Sequence, residues 1–314
     1  MLNLFERCSS IYLSRRSFLA GMAGGLLTLS FAGFNPALSQ PGPPDIGLAR
    51  GDPDPATRSA VGLLGGMGSF VREGQHVLIK PNMSFSSPPE SATNTHPGVV
   101  EALVRMCLEA GASRVTVSDH TLQEAEASMR RSGIGRLGEE IRGCNIQAPS
   151  SSHYYQRTDI ARGERLQSSR ILKEALQADV LIAAPVAKHH SSTGVSLSMK
   201  GMLGLILDRG ELHWKYDLNT AIVDLCTKLW ADLTVVDATR ALTTEGPSGP
   251  GEVIRPNTVI ASRDMVAADA QAVSMIPWYG RSMDPGQVEH VRLAHERGLG
   301  RMDVEQLRTE SASL

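Results

Sequence analysis

Residues 76–81 read HVLIKP, and residues 95–120 read THPGVVEALVRMCLEAGASRVTVSDH. Val77, Leu78 and Ile79 form an unbroken apolar run that stops at Pro81, the pattern of a strand buried on both faces. From Pro97 to Ala110 the apolar residues fall at Val99, Val100, Leu103, Val104 and Cys107, which share one helical face. Asn94 or Thr95 can cap that helix, Pro97 suits its first turn and Gly111 ends it. Arg114–Ser118 then returns to strand pattern. A strand, a helix and a second strand in this order imply a parallel crossover unit.

The same alternation continues outward. Strands are predicted at Ile46–Ala49, Val180–Pro185, Leu233–Val236 and Thr258–Ala261. Helices are predicted over 55–64, 169–176, 220–231, 265–276 and 285–296. The fold expected is α/β: a Rossmann-like, mostly parallel sheet with helices on both faces, forming one domain over 45–300. Residues 120–170 are polar and rich in Gly and Ser, and read as an insertion or lid. Residues 301–314 read as a fraying tail. Cys107 and Cys226 lie in apolar helical stripes and read as core, whereas Cys144 sits in a loop-like stretch.

Among the 314 residues, 31 Lys and Arg nearly balance 33 Asp and Glu, and aromatics are 4%. That excludes the basic face and the stacking platform of most nucleic-acid binders. Only six of the cations are Lys: 80, 173, 188, 200, 215 and 228.

At the N-terminus, Arg15-Arg16 precedes a Gly-diluted apolar run from Phe18 to Phe34, and Ala37-Leu38-Ser39 offers a cut site. Residues 1–39 therefore resemble a twin-arginine-type signal peptide, followed by a linker at 40–44. The expectation is export to the periplasm or beyond, with the export machinery as partner. Membrane contact is expected only through the signal segment.

In a parallel sheet, ligands bind beyond the carboxyl ends of the strands. Lys80 and Asn82 follow one strand, Asp119 and His120 the next, and Lys188, His189 and His190 the next. Asp237 and the loop 244–251, with Gly246 and Gly249, follow another; Arg263 and Asp264 follow the last. Lys80, Asp119, Lys188, His190 and Lys200 are the candidate catalytic residues. Asn82, His96, Asp237, Gly246, Gly249 and Asp269 are candidate ligand-binding residues. Asp269 lies on an apolar helix face, and a buried carboxylate needs a partner; a Lys or a metal is expected to supply it. His190 and Asp119 are candidate ligands for a divalent metal. Asp264 reads as a helix cap.

Other chemistries find no support. Leu197, not Ser, stands three before Lys200, so the Ser-x-x-Lys pattern of penicillin-binding proteins fails. There is no Walker loop, nucleophile elbow or HExxH, and no CxxC or ferredoxin run.

Taken in order, VLIKPNM, the 93–120 segment, PVAKHH, SLSMKGMLGLI, VVDATRAL with EGPSGPGEVI, and ASRDMVAADA resemble domain-of-unknown-function family number 362. The resemblance spans about Ile46 to Gly300. It implies an α/β fold and a site on these motifs rather than a particular reaction. Some members of that family carry ferredoxin-type iron–sulfur motifs; this chain has none, so no cluster is implied. The family's usual Lys-Asn-x-x-Gly is Lys200-Gly201-Met202-Leu203-Gly204 here. Three roles stay open: an enzyme acting on a small carboxylate or phosphate held by the Lys groups and the 244–251 amides, a metal- or anion-binding protein without turnover, and a redox accessory.

Overall fold

The computed structural model describes residues 42–314. The segment read as a signal lies outside them. The strands are β1 (Ile46–Arg50), β2 (His76–Pro81), β3 (Arg114–Ser118), β4 (Cys144–Gln147), β5 (Tyr155–Asp159), β6 (Ser168–Leu172), β7 (Val180–Ala184), β8 (Val186–His190), β9 (Gly194–Val195), β10 (Leu233–Leu242), β11 (Val253–Ile254), β12 (Thr258–Ser262) and β13 (Thr309–Ser313). The helices are α1 (Pro53–Leu63), α2 (Pro97–Glu109), α3 (Ala125–Ser132), α4 (Leu137–Glu140), α5 (Lys173–Gln177), α6 (Leu197–Gly201), α7 (Arg209–Lys215), α8 (Leu218–Cys226), α9 (Met265–Met275) and α10 (Glu289–Glu296).

The main sheet runs β13-β1-β12-β10-β7-β2-β3-β4. Within it, β4, β3, β2, β7 and β10 are parallel neighbours. Counting those five in chain order gives 3-2-1-4-5, the strand order of a Rossmann sheet. The sheet reverses direction of growth between β2 and β7, and such a switch point leaves a crevice beyond the strand ends.

Strand residues alternate between two cores, as the period of two requires. Val77 and Ile79 pack with α1 and α2 through Val61, Val100 and Leu103. Leu78 points to the other face, which α6, α8, α9 and α10 cover through Met199, Leu225, Val273 and Val291. Helices on both faces explain why these strands are apolar throughout.

The structure corrects several boundaries and one direction. β12 runs antiparallel to β10 and β1, so Arg263 and Asp264 sit at the sheet edge opposite the switch-point crevice. Ser169–Leu176 is not one helix: β6 takes its first half and pairs with β5 in a separate two-stranded sheet. Within the 120–170 region, read as an insertion or lid, β4 extends the main sheet beside β3, and Cys144 lies in that strand rather than in a loop. β10 continues to Leu242, well past Val236. The tail does not fray, since β13 pairs with β1 from Ile46↔Thr309 to Arg50↔Ser313. Among the described residues no helix is long and apolar enough to cross a membrane.

Candidate functional site

A cleft of about 410 Å³ opens at the switch point. Lys80 reaches it from β2, Asp119 from the turn after β3, Lys188 and His190 from β8, Lys200 from α6, and Arg209 and His213 from α7. β8 exists because Pro185, which lacks an N–H, interrupts the strand after β7. The chain then re-pairs with the far half of β10, through Asp237↔Val186 and Leu242↔Lys188. That extension carries Lys188 and His190 beyond the sheet edge.

Lys80 and Asp119 form a buried ion pair, Nζ to Oδ1 3.1 Å. The other carboxylate oxygen accepts from the Met83 amide at 2.8 Å and the Ser84 hydroxyl at 2.9 Å. Gly204 closes over this pair: a Cβ there would lie 2.0 Å from Asp119 Oδ1 and 2.5 Å from Lys80 Cε. Only glycine lets the backbone approach so closely. Its carbonyl accepts from the His120 amide at 2.9 Å.

The remaining cations have no carboxylate of their own. Lys188 Nζ donates to the Thr93 carbonyl at 2.6 Å and lies 4.8 Å from the centre of the Phe85 ring. Burial, then the neighbouring Lys200 and Lys80, push its pKa down to about 7, against the pull of Asp119. Burial and the charges of Arg209 and Lys80 bring Lys200 to about 8. No described residue accepts a hydrogen bond from Lys200 Nζ. Arg209 donates to the carbonyls of His120 and Thr121, neutral groups that leave its charge uncompensated. His190 is held neutral, its pKa pushed to about 2 by burial and by Lys200 and Lys188. Its Nδ1 accepts from the Ser192 amide at 3.1 Å. The His213 ring stands 6.3 Å away.

α6 is aimed by Asp269. The expected partner of that carboxylate was a Lys or a metal; the structure gives it the amides of Ser198 at 2.8 Å and Met199 at 3.0 Å. A carboxylate at a helix start satisfies free amides there. Burial nevertheless raises Asp269 to about 7. Beside it, Leu197 holds φ 49°, a strained value for a bulky residue. Asp269 thus acts on the cleft through α6 rather than by lining it.

Of the other candidates, Asn82 alone lines the cleft. Asp237, within β10, accepts from the His96 amide (2.7 Å), the Thr239 amide and hydroxyl (3.0 and 2.6 Å) and Arg240 (2.7 Å). Burial opposes its ionisation, but Arg240 and these donors hold its pKa below the usual carboxylate range. His96 is the α2 cap in place of Asn94 or Thr95, its Nδ1 accepting from Gly98. Asn82 lines the cleft and also accepts from the Val186 amide at 2.9 Å. Of the 244–251 loop only Pro247 lines the cleft. The Gly246 amide donates instead to His189, and a Cβ on Gly246 would strike the His189 carbonyl at 2.0 Å. Gly249 is outside the lining. Among the described residues no three His, Cys, Asp or Glu side chains gather as a metal group.

Arg209, His213, Ser84 and Phe85 were not foreseen. Arg209 and His213 lie in an α7 with no apolar stripe around them, and Ser84 and Phe85 follow Pro81 in a loop. Nothing local in the sequence marks them.

The fold and cleft define an α/β protein with a cation-rich site at a Rossmann switch point. The chain belongs to the family described as Domain of unknown function (DUF362), whose model matches residues 77–274. It is 25% identical over 258 residues to the thylakoid-associated protein sll1697 of Synechocystis sp., covering 77% of this chain and 74% of that one. Among solved structures, the lactate racemase apoprotein from Thermoanaerobacterium thermosaccharolyticum matches with a TM-score of 0.42 and 12% identity. That match covers 69% of this chain and about half of the other, 54%.

Proposed function

We propose that the cleft binds a small anion, a carboxylate or phosphate, and that the protein is an enzyme acting on the molecule that carries it. One observation carries the reading: Lys80, Lys188, Lys200 and Arg209 face a single cleft that holds one carboxylate, Asp119. Buried cations are costly unless paired. Asp119 serves Lys80, so an anion in the cleft would supply the partner that Lys188, Lys200 and Arg209 lack. Arg209 offers a planar fork for an oxyanion and Lys200 a point charge. Amines with pKa about 7 and about 8 are suited to accept and return protons near neutrality. The cations supply the positive charge that a divalent metal on His190 and Asp119 would otherwise bring. Arg15-Arg16 and the apolar run after them support export by the twin-arginine route, which fractionation of cells carrying Arg15→Lys with Arg16→Lys tests: the double variant stays in the cytoplasm.

Sulfate and acetate are the probes for the cleft. Each should raise the melting temperature saturably, and Lys200→Met should weaken that protection at least about tenfold, the value of one lost charged partner. Protection that is equal in wild type and Lys200→Met would overturn the proposal.

A further inference from the structure

We infer that Lys188 is a nucleophile that forms an imine with a small aldehyde or ketone bearing a carboxylate. This deepens the anion reading and rests on it. Four features of the site converge on this amine. It is buried in the cleft wall. Its only hydrogen-bond acceptor is neutral, the Thr93 carbonyl, so no carboxylate locks it as an ammonium. Its charged neighbours are Lys200 on α6, Lys80 on β2 and Asp119 after β3, a cationic surplus that disfavours a further positive charge. The Phe85 ring shields one side from water. A desolvated lysine beside other cations is the general recipe for a reactive amine. Lys173, Lys215 and Lys228, by contrast, are exposed.

The remaining groups fit the partner. Lys200 and Arg209 hold the carboxylate, leaving the adjacent carbonyl carbon to Lys188. The Nζ lone pair adds to that carbon and the carbonyl oxygen takes a proton, giving a carbinolamine. Nitrogen loses its proton, the hydroxyl takes one and leaves as water, and the C=N bond forms. The reaction joins one amine and one carbonyl and releases one water, with no oxidant or reductant. Lys200, an ammonium with no acceptor of its own among the described residues, can supply the proton for the departing hydroxyl. The neutral His190 does not add to the charge that the imine must tolerate.

Glyoxylate is the probe, with cyanoborohydride to reduce any imine to a stable carboxymethyl-amine. At pH 7.5 an amine of pKa about 7 is mostly neutral, whereas an ordinary lysine is neutral in about one part in a thousand. Peptide mapping of the wild-type protein should therefore find the adduct at Lys188 at least about tenfold faster than at Lys173, Lys215 or Lys228. Acetate or sulfate should slow it, and acetaldehyde, lacking the carboxylate, should keep only the preference that the neutral amine gives, with no slowing by acetate or sulfate. Lys200→Met, which removes a neighbouring cation, should slow labelling at pH 7 and move its pH midpoint upward. An adduct at Lys200 instead, or labels spread evenly over the surface lysines while acetate and sulfate still protect against melting, would overturn the imine and leave the anion reading intact. Neither label nor protection would remove both.

Discussion

Two buried charged clusters sit side by side at the same sheet edge. Around Asp237 everything is matched: both carboxylate oxygens are occupied, and Arg240 also donates to the carbonyls of Pro89 and Asn94 at 2.9 Å each. Around Lys188 and Lys200 cations outnumber carboxylates, and one ammonium lacks an acceptor. Asp237 and Arg240 are buried, as are Lys80, Asp119 and Lys188, whereas Lys200 and Arg209 are only partly buried. The matched one ties β10 to the start of α2 and to the Pro89 turn, and it needs nothing from outside. The unmatched one has a charge left over, and the proposed anion site rests on that surplus.

Breaking the matched cluster should be the more damaging. Asp237→Ala leaves Arg240 buried without its anion and should cost about 3–5 kcal/mol, read from chemical denaturation. Sulfate should still protect whatever fraction folds. A loss below about 1 kcal/mol would mean that the cluster is not the joint described.

Next in size is Gly204→Ala, which forces a methyl against the Lys80–Asp119 pair and should cost about 1–3 kcal/mol. It should also weaken anion protection, because the pair moves into the cleft. By contrast Gly201, where the family pattern has Asn, has nothing within 4 Å of a built Cβ. Gly201→Asn should leave stability within about 0.5 kcal/mol.

The unmatched cluster should respond in the opposite direction to loss of charge. Lys188→Met removes a cation whose pKa falls from an ordinary 10.5 unfolded to about 7 folded. Between those values the unfolded chain binds the extra proton, so wild-type stability rises with pH across that window. Below pH 7 the buried charge is a full penalty. The variant should therefore melt higher than wild type near pH 6.5, with the advantage shrinking toward pH 10. A gap that widens with pH would contradict the assignment.

The sequence shows the fold best where burial on both faces leaves no choice of residue. Val77–Ile79, Val180–Ala184 and the α2 stripe could hardly be anything else. β13 was hidden because Thr309-Glu310-Ser311 is an edge strand, exposed and polar. β6 was hidden because Ile171 and Leu172 run into the short α5 and mimic one helical period. Asp237 resembled a strand end because the polar Thr239 and Arg240 follow it; only the structure shows these residues satisfying one another inside a longer β10. The grouping of Lys80, Lys188 and Lys200 was legible from scarcity and strand ends. Arg209 was not, since its role depends on where α7 folds back, which no local pattern records.

The most direct test of the account is calorimetric titration of the chain with sulfate at pH 8, in two buffers of different ionisation enthalpy. Sulfate does not titrate there, while Lys188 and Lys200, at about 7 and about 8, are mostly neutral and about half neutral, respectively. An anion among them raises both values, so one-site binding with net proton uptake is the result predicted, and Lys188→Met should reduce that uptake. Binding without proton uptake, or no binding at all, would contradict the claim that these lysines form one anion site.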